Sequence, residues 1–116
     1  MKYLITESQF DNIVFKYLDN QDFIGLDIGG IIYIVNSKDD EYALIKCNIK
    51  LKNCEVSYDL INEISSFFSI SREESETIIG QWTAENLGID NIEMLVKVYS
   101  KSMMLKLPFR YEIPNN

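Results

Sequence analysis

The residues of this 116-residue chain whose types can do chemistry are few: two cysteines, Cys47 and Cys54, and two runs of carboxylates. A cysteine acts as a nucleophile only when a neighbouring base or a helix N-terminus lowers its pKa. The chain contains no histidine. That removes the Ser-His-Asp triad, the Cys-His dyad and every His-ligated metal site. Glu73, Glu74 and Glu76 offer carboxylates for acid-base work. However, Ser71-Arg72-Glu73-Glu74 has the form of a capping box, and negative charge in a helix's first turn is favoured by the dipole. Asp39-Asp40-Glu41 offers ligands to a cation, but lacks the twelve-residue spacing and central glycine of an EF-hand. It reads as a solvated hairpin loop. No catalytic, cofactor-binding or metal-ligating residue is expected.

The segment Gly25-Leu26-Asp27-Ile28-Gly29-Gly30 resembles the first phosphate loop of the sugar-kinase and actin-like ATPases. The resemblance implies a strand followed by glycines that cradle a phosphate. Ile31 stands where that family has a hydroxyl residue, no second phosphate loop follows, and the chain lacks room for two large lobes. The glycine spacing also misses the dinucleotide fingerprint. A hairpin turn accounts for the same residues, with Asp27 as a polar group that needs a partner.

These residues have to be positioned by elements that the hydrophobic periods reveal. Thr6-Glu7-Ser8-Gln9 is a capping box, with Ile5 and Phe10 placed as a hydrophobic staple. Phe10, Ile13, Val14, Tyr17 and Leu18 then follow helical spacing, predicting a first helix to about Asp19. Strand-like runs cover Phe23–Ile28, Ile31–Val35, Tyr42–Leu51 and Cys54–Tyr58. Gly29-Gly30 suits a two-residue hairpin turn between the first pair. Asp59–Phe68 reads as a second helix with Ile61, Ile64 and Phe68 on one stripe. Ser71–Gly88 reads as a third, carrying Ile78, Ile79 and Trp82 and ending at a C-terminal glycine. Residues 91–104 fit a helix and a strand equally. Leu105, Leu107, Phe109, Tyr111 and Ile113 alternate with polar residues and predict a C-terminal strand. The fold class is therefore a single α+β domain: an N-terminal helix, a four-stranded antiparallel meander, two helices and a closing C-terminal strand.

For the third and fourth strands the apolar pattern favours a turn at Lys52-Asn53. That pairs Leu51 with Cys54, Ile49 with Val56 and Cys47 with Tyr58, and brings Lys50 opposite Glu55. The alternative, closing at Lys50-Leu51, sets Cys47 against Cys54 but Ile49 against Lys52. In the favoured register the cysteines are separate, small, buried hydrophobes. Two cysteines do not make a secreted disulfide framework, and Met1–Phe10 lacks a signal peptide's apolar core, so a reducing cytoplasm is expected.

Composition bounds the partners. Acids outnumber bases 18 to 11, a net charge of −7, which argues against direct nucleic-acid binding. No run approaches the roughly 20 apolar residues of a membrane span. No small-molecule substrate is indicated. Residues 46–54 carry three lysines and no acid, whereas 55–93 carry nine acids and one arginine. The second and third strands are apolar on both faces: Ile32 and Ile34 on one, and Ile31, Tyr33, Val35, Tyr42 and Leu44 on the other. Either the chain's own helices cover both, or the second set meets another chain.

The opening Lys2-Tyr3-Leu4-Ile5-Thr6-Glu7-Ser8-Gln9-Phe10 resembles the start of many small bacteriophage-encoded proteins. Ile79-Gly80-Gln81-Trp82 and Glu85-Asn86-Leu87-Gly88-Ile89 are similar in character. The resemblance implies a phage accessory or virion component made in the host cytoplasm, and carries no catalytic residues. The expected function is a non-enzymatic structural or assembly protein acting through protein–protein contacts, with a protein partner or a homo-oligomer. Ile31, Tyr33, Val35, Tyr42 and Leu44 are its candidate interface. The alternative is a small acidic inhibitor. There Glu55, Asp59, Glu63, Glu73, Glu74, Glu76 and Glu85 imitate phosphates in the basic cleft of a host enzyme.

Overall fold

The two apolar runs flanking Gly29-Gly30 fold back on each other as β1 (Ile24–Ile28) and β2 (Ile31–Val35). Gly29 and Gly30 take φ of 63° and 86°, the doubly left-handed turn that matches strand twist. Asp27 is exposed, and its Oδ1 accepts a hydrogen bond from the Gly30 amide. The turn leads into a second strand with no helix behind it, so the dinucleotide fingerprint has no structural counterpart and the segment is the expected hairpin.

The structure is a computed structural model that describes residues 7–108, with side chains from residue 10. The remaining elements are α1 (Glu7–Asp19), β3 (Ile45–Asn48), β4 (Asn53–Ser57), α2 (Tyr58–Phe68), α3 (Arg72–Leu87) and β5 (Met94–Val98), followed by a 3-10 turn (Met103–Leu105). The chain is α+β. One five-stranded mixed sheet runs in sequence order, antiparallel from β1 to β4, with β5 parallel to β4. A parallel neighbour needs a long crossover, and α2 and α3 supply it. The N-terminal cap at Thr6 and the staple at Ile5 lie outside the described residues.

The helix ends are set locally. Ser57 closes β4 and caps α2, its Oγ accepting from the Asp59 amide. Ser71 and Glu74 form the expected capping box of α3, and Gly88 ends that helix at φ 71°. All three helices cover one face of the sheet. Val14 and Leu18 of α1, Leu60, Ile61 and Ile64 of α2, and Ile78, Ile79 and Trp82 of α3 pack on Ile34, Ile45, Cys47, Cys54 and Val56.

The second face is covered differently. Tyr33 and Val35 are buried with Ala43 and Leu107. Leu107 is held there because its amide donates to the Glu41 carbonyl, while the Ala43 amide donates to the Leu105 carbonyl. The cover is a crossing segment of the chain's own C-terminal part, not a helix. Leu44 corrects the expected grouping: it lies before β3 and packs on the helix-side core.

Among the described residues the fifth strand of the sheet is Met94–Val98, within the region whose period is ambiguous, and the run from Leu105 is described only to residue 108. Leu105 ends the 3-10 turn, and Lys106 makes one isolated bridge to Tyr42. Phe109, Tyr111 and Ile113 lie outside the described residues. The β3–β4 register pairs Cys47 with Cys54, Lys46 with Glu55 and Ile45 with Val56. Ile49 and Lys52 sit in the turn, so neither needs a face of the sheet, and the objection to this register disappears. Asn48 Oδ1 accepts from the Leu51 amide, and Lys52 takes a positive φ of 55°. The two opposed cysteines form a disulfide with Cα atoms 4.2 Å apart. They are not free thiols, and the expectation of a reducing compartment loses that support.

Candidate functional site

The expected interface does not form one open surface. Tyr33 and Val35 are buried beneath the chain's own Leu107, and Leu44 belongs to the opposite face. Ile31 and Tyr42 are half-buried. What remains open on that face is a strip of half-buried side chains on the outer hairpin, Ile24, Leu26, Ile28 and Ile31.

The helix side carries an apolar surface that sequence reasoning missed. Phe67 of α2 is 63% exposed and Ile13 of α1 is 47% exposed. Tyr17, one helical turn after Ile13 on α1, places its ring 4.6 Å from that of Phe67, centroid to centroid. Behind this layer Phe68 contacts Tyr17, Phe10 and Phe67 edge-on. Tyr17 is fixed from the other side, its hydroxyl donating to Glu63 Oε2 at 2.9 Å. Partial burial raises its pKa first, and the hydrogen bond to the Glu63 carboxylate and that group's charge raise it further. The available signal is the aromatic pair Phe67-Phe68: neighbours on a helix lie roughly 100° apart, so one apolar stripe cannot centre on both.

The expected acidic surface is divided by the fold. Glu55 lies in the sheet beside Lys46, at 3.9 Å. Glu63 is engaged by Tyr17, and Glu74 by its cap. Glu73, Glu76 and Glu85 are brought together along a groove of about 810 Å³ between α3 and β5, with Asp90 at its end. The lining between these carboxylates is buried or half-buried: Gly80, Ala84, Ile89, Ile92 and Leu95. Glu76 also pairs with Lys97 at 3.3 Å. Glu73, Glu85 and Asp90 have no lysine or arginine partner among the described residues. A shallower hollow of about 560 Å³ lies on the other flank of α3, and Glu73, Thr77 and Gln81 line both.

Asp40 of the loop run is used by its own backbone. Its Oδ2 accepts from the amides of Asn36 and Ser37. Among the described residues no three His, Cys, Asp or Glu side chains are grouped to hold a metal ion. No helix among them is long and apolar enough to cross a membrane. Both cysteines are bridged and buried, so neither presents a thiolate. The arrangement offers surfaces for macromolecular contact: an aromatic patch, an acid-rimmed apolar groove and a basic hairpin turn. No protein-family model, curated protein or solved structure matches the chain.

Proposed function

We propose that this chain is a non-enzymatic protein that works through protein–protein contacts, as a structural or assembly component. The observation that carries the reading is the Ile13–Tyr17–Phe67 patch. Aromatic side chains left at the surface on a rigid helical base are the usual anchors of protein interfaces. Among the described residues nothing covers Ile13 or Phe67 from solvent. The resemblance of the opening residues to small bacteriophage proteins supports a phage component made in the host cytoplasm. A virion surface is also an oxidising setting in which a disulfide persists. Virion components assemble in symmetric copies, and a self-contact through the patch is the simplest form of that assembly.

Light scattering behind size exclusion tests this with the full chain and its Phe67→Asp variant at low and high salt. The reading expects a defined oligomer that persists at high salt, because an apolar contact is little screened. It expects Phe67→Asp to reduce that mass in a chain that stays folded by circular dichroism. Some loss of melting temperature is expected, because Phe67 packs on Tyr17 and Phe68 and a carboxylate in the last turn of α2 faces the negative end of the dipole. A monomer in every condition overturns the reading, and an oligomer indifferent to Phe67→Asp overturns the patch as its contact.

A further inference from the structure

Gly80 occupies the middle of α3, where glycine is destabilising by roughly 0.5–1 kcal/mol relative to alanine. Its φ is not positive. A Cβ placed there would stand 3.8 Å from Leu95 Cδ2, an ordinary van der Waals contact. Neither the backbone nor the chain's own packing requires glycine. Its effect is to leave helix backbone bare on the lining of the acid-rimmed groove, where an incoming group can approach closely.

The chain carries a complement to that groove. The β3–β4 turn presents Leu51, 59% exposed, between Lys50 and Lys52. An apolar tip between two cations matches an apolar lining between carboxylates. We propose that the groove is the docking site for the Lys50-Leu51-Lys52 turn of a second copy of this chain. The turn and the groove share one end of the molecule, because the Lys52 carbonyl accepts from the Glu93 and Met94 amides at the start of β5. One two-fold operation can therefore seat each copy's turn in the other's groove, and both contacts form together. Opposite charges at the rim orient the approach. The inference rests on the assembly reading above but uses a different surface from the Phe67 patch.

Sedimentation equilibrium of the full chain tests it, at 50 and 300 mM salt, on the wild type and on Leu51→Ser, Gly80→Ala, Gly80→Leu and Phe67→Asp. The expected result is self-association that Leu51→Ser and Gly80→Leu each weaken by roughly tenfold or more, and that higher salt weakens too. Gly80→Ala is expected to raise the melting temperature while weakening association, a pair of effects that damage to the fold does not produce. Phe67→Asp is expected to leave this contact in place. A carbodiimide crosslink between differently isotope-labelled copies is expected to join Lys50 or Lys52 to Glu73, Glu85 or Asp90. An oligomer that ignores Leu51→Ser and Gly80→Leu but yields to Phe67→Asp overturns this contact and leaves the assembly reading standing. So does a groove occupied by another basic segment, which the crosslinks would report. A chain that stays monomeric in both experiments overturns both.

Discussion

The indole Nε1 of Trp82, in the middle of α3, donates to Oδ1 of Asp19, the last residue of α1, at 2.9 Å. A carboxylate at a helix C-terminus faces the negative end of the dipole, so nothing local favours Asp19. The bond to a tryptophan that is 5% exposed gives it a reason: it satisfies the buried N–H and ties the first helix to the third. Asp19→Ala is expected to lower stability by about 1–3 kcal/mol, the cost of a buried donor left without a partner. Asp19→Asn retains an acceptor and is expected to lose less. The chain has a single tryptophan, so urea unfolding followed by its fluorescence reads the effect directly. Equal stability of Asp19→Ala and the wild type would show that the bond ties nothing.

The Cys47–Cys54 bridge closes a short loop, with a sequence separation of 7. Chain-entropy arguments assign such a loop roughly 2 kcal/mol. The sulfurs lie in the helix-side core, and the two residues are 1% and 0% exposed. Reduction by dithiothreitol is therefore expected to be slow in buffer and fast in denaturing urea. The denatured, unreduced chain is expected to take up no iodoacetamide, and the reduced chain two equivalents, as read by mass spectrometry. Uptake of two equivalents without reductant would disprove the bridge.

What sequence shows of this fold is what local signals carry. The Ser71–Glu74 box, Gly88, the Gly29-Gly30 turn and the helix-1 stripe are each complete within a few residues. The β3–β4 register is not. Opposing Cys47 with Cys54 instead of Tyr58 shifts the pairing by four residues, an even number. Every side chain keeps its face, and alternation cannot separate the two registers. Residues 91–104 carry both periods, and only the parallel pairing with β4 selects the strand. The candidate surfaces divide in the same way. Glu73 and Glu76 are legible as a cluster, but the groove needs Gly80, Ile92 and Leu95 from two elements. The burial of Tyr33 and Val35 depends on Leu107, some seventy residues downstream.

That long-range cover makes its own prediction. Tyr33 has its pKa raised, by burial first and by the Glu55 charge second. Leu107 is one of the side chains that bury it. Leu107→Ala is expected to cost about 2 kcal/mol as a large-to-small core change. It is also expected to lower the Tyr33 phenol pKa towards its ordinary value, since water then reaches the ring. Ultraviolet titration at the phenolate band, with Tyr33→Phe as the assignment control, measures the shift. An unchanged Tyr33 titration in a folded Leu107→Ala chain would show that Leu107 does not seal this face.

Tyr17 couples the aromatic patch to pH. Its folded pKa is raised above the ordinary value of about 10. The folded state therefore favours the protonated phenol. The stability this group contributes is complete below its unfolded pKa and is lost as pH rises through the raised folded value. The wild type is expected to lose stability above about pH 10 more steeply than Tyr17→Phe, which has no proton to release. At neutral pH Tyr17→Phe is expected to be less stable by no more than about 1 kcal/mol, because the hydrogen bond to Glu63 is solvent-exposed. Glu63→Gln removes the carboxylate's charge and is expected to bring the Tyr17 pKa back towards 10 while keeping an acceptor in place. Since Tyr17 stacks on Phe67, ionising it puts a negative charge beside the proposed contact. In a Leu51→Ser background, which removes the lysine-flanked contact, oligomer mass is therefore expected to fall over the same pH range with Tyr17 present and to hold in Tyr17→Phe. Parallel loss of mass in both chains would place the contact elsewhere.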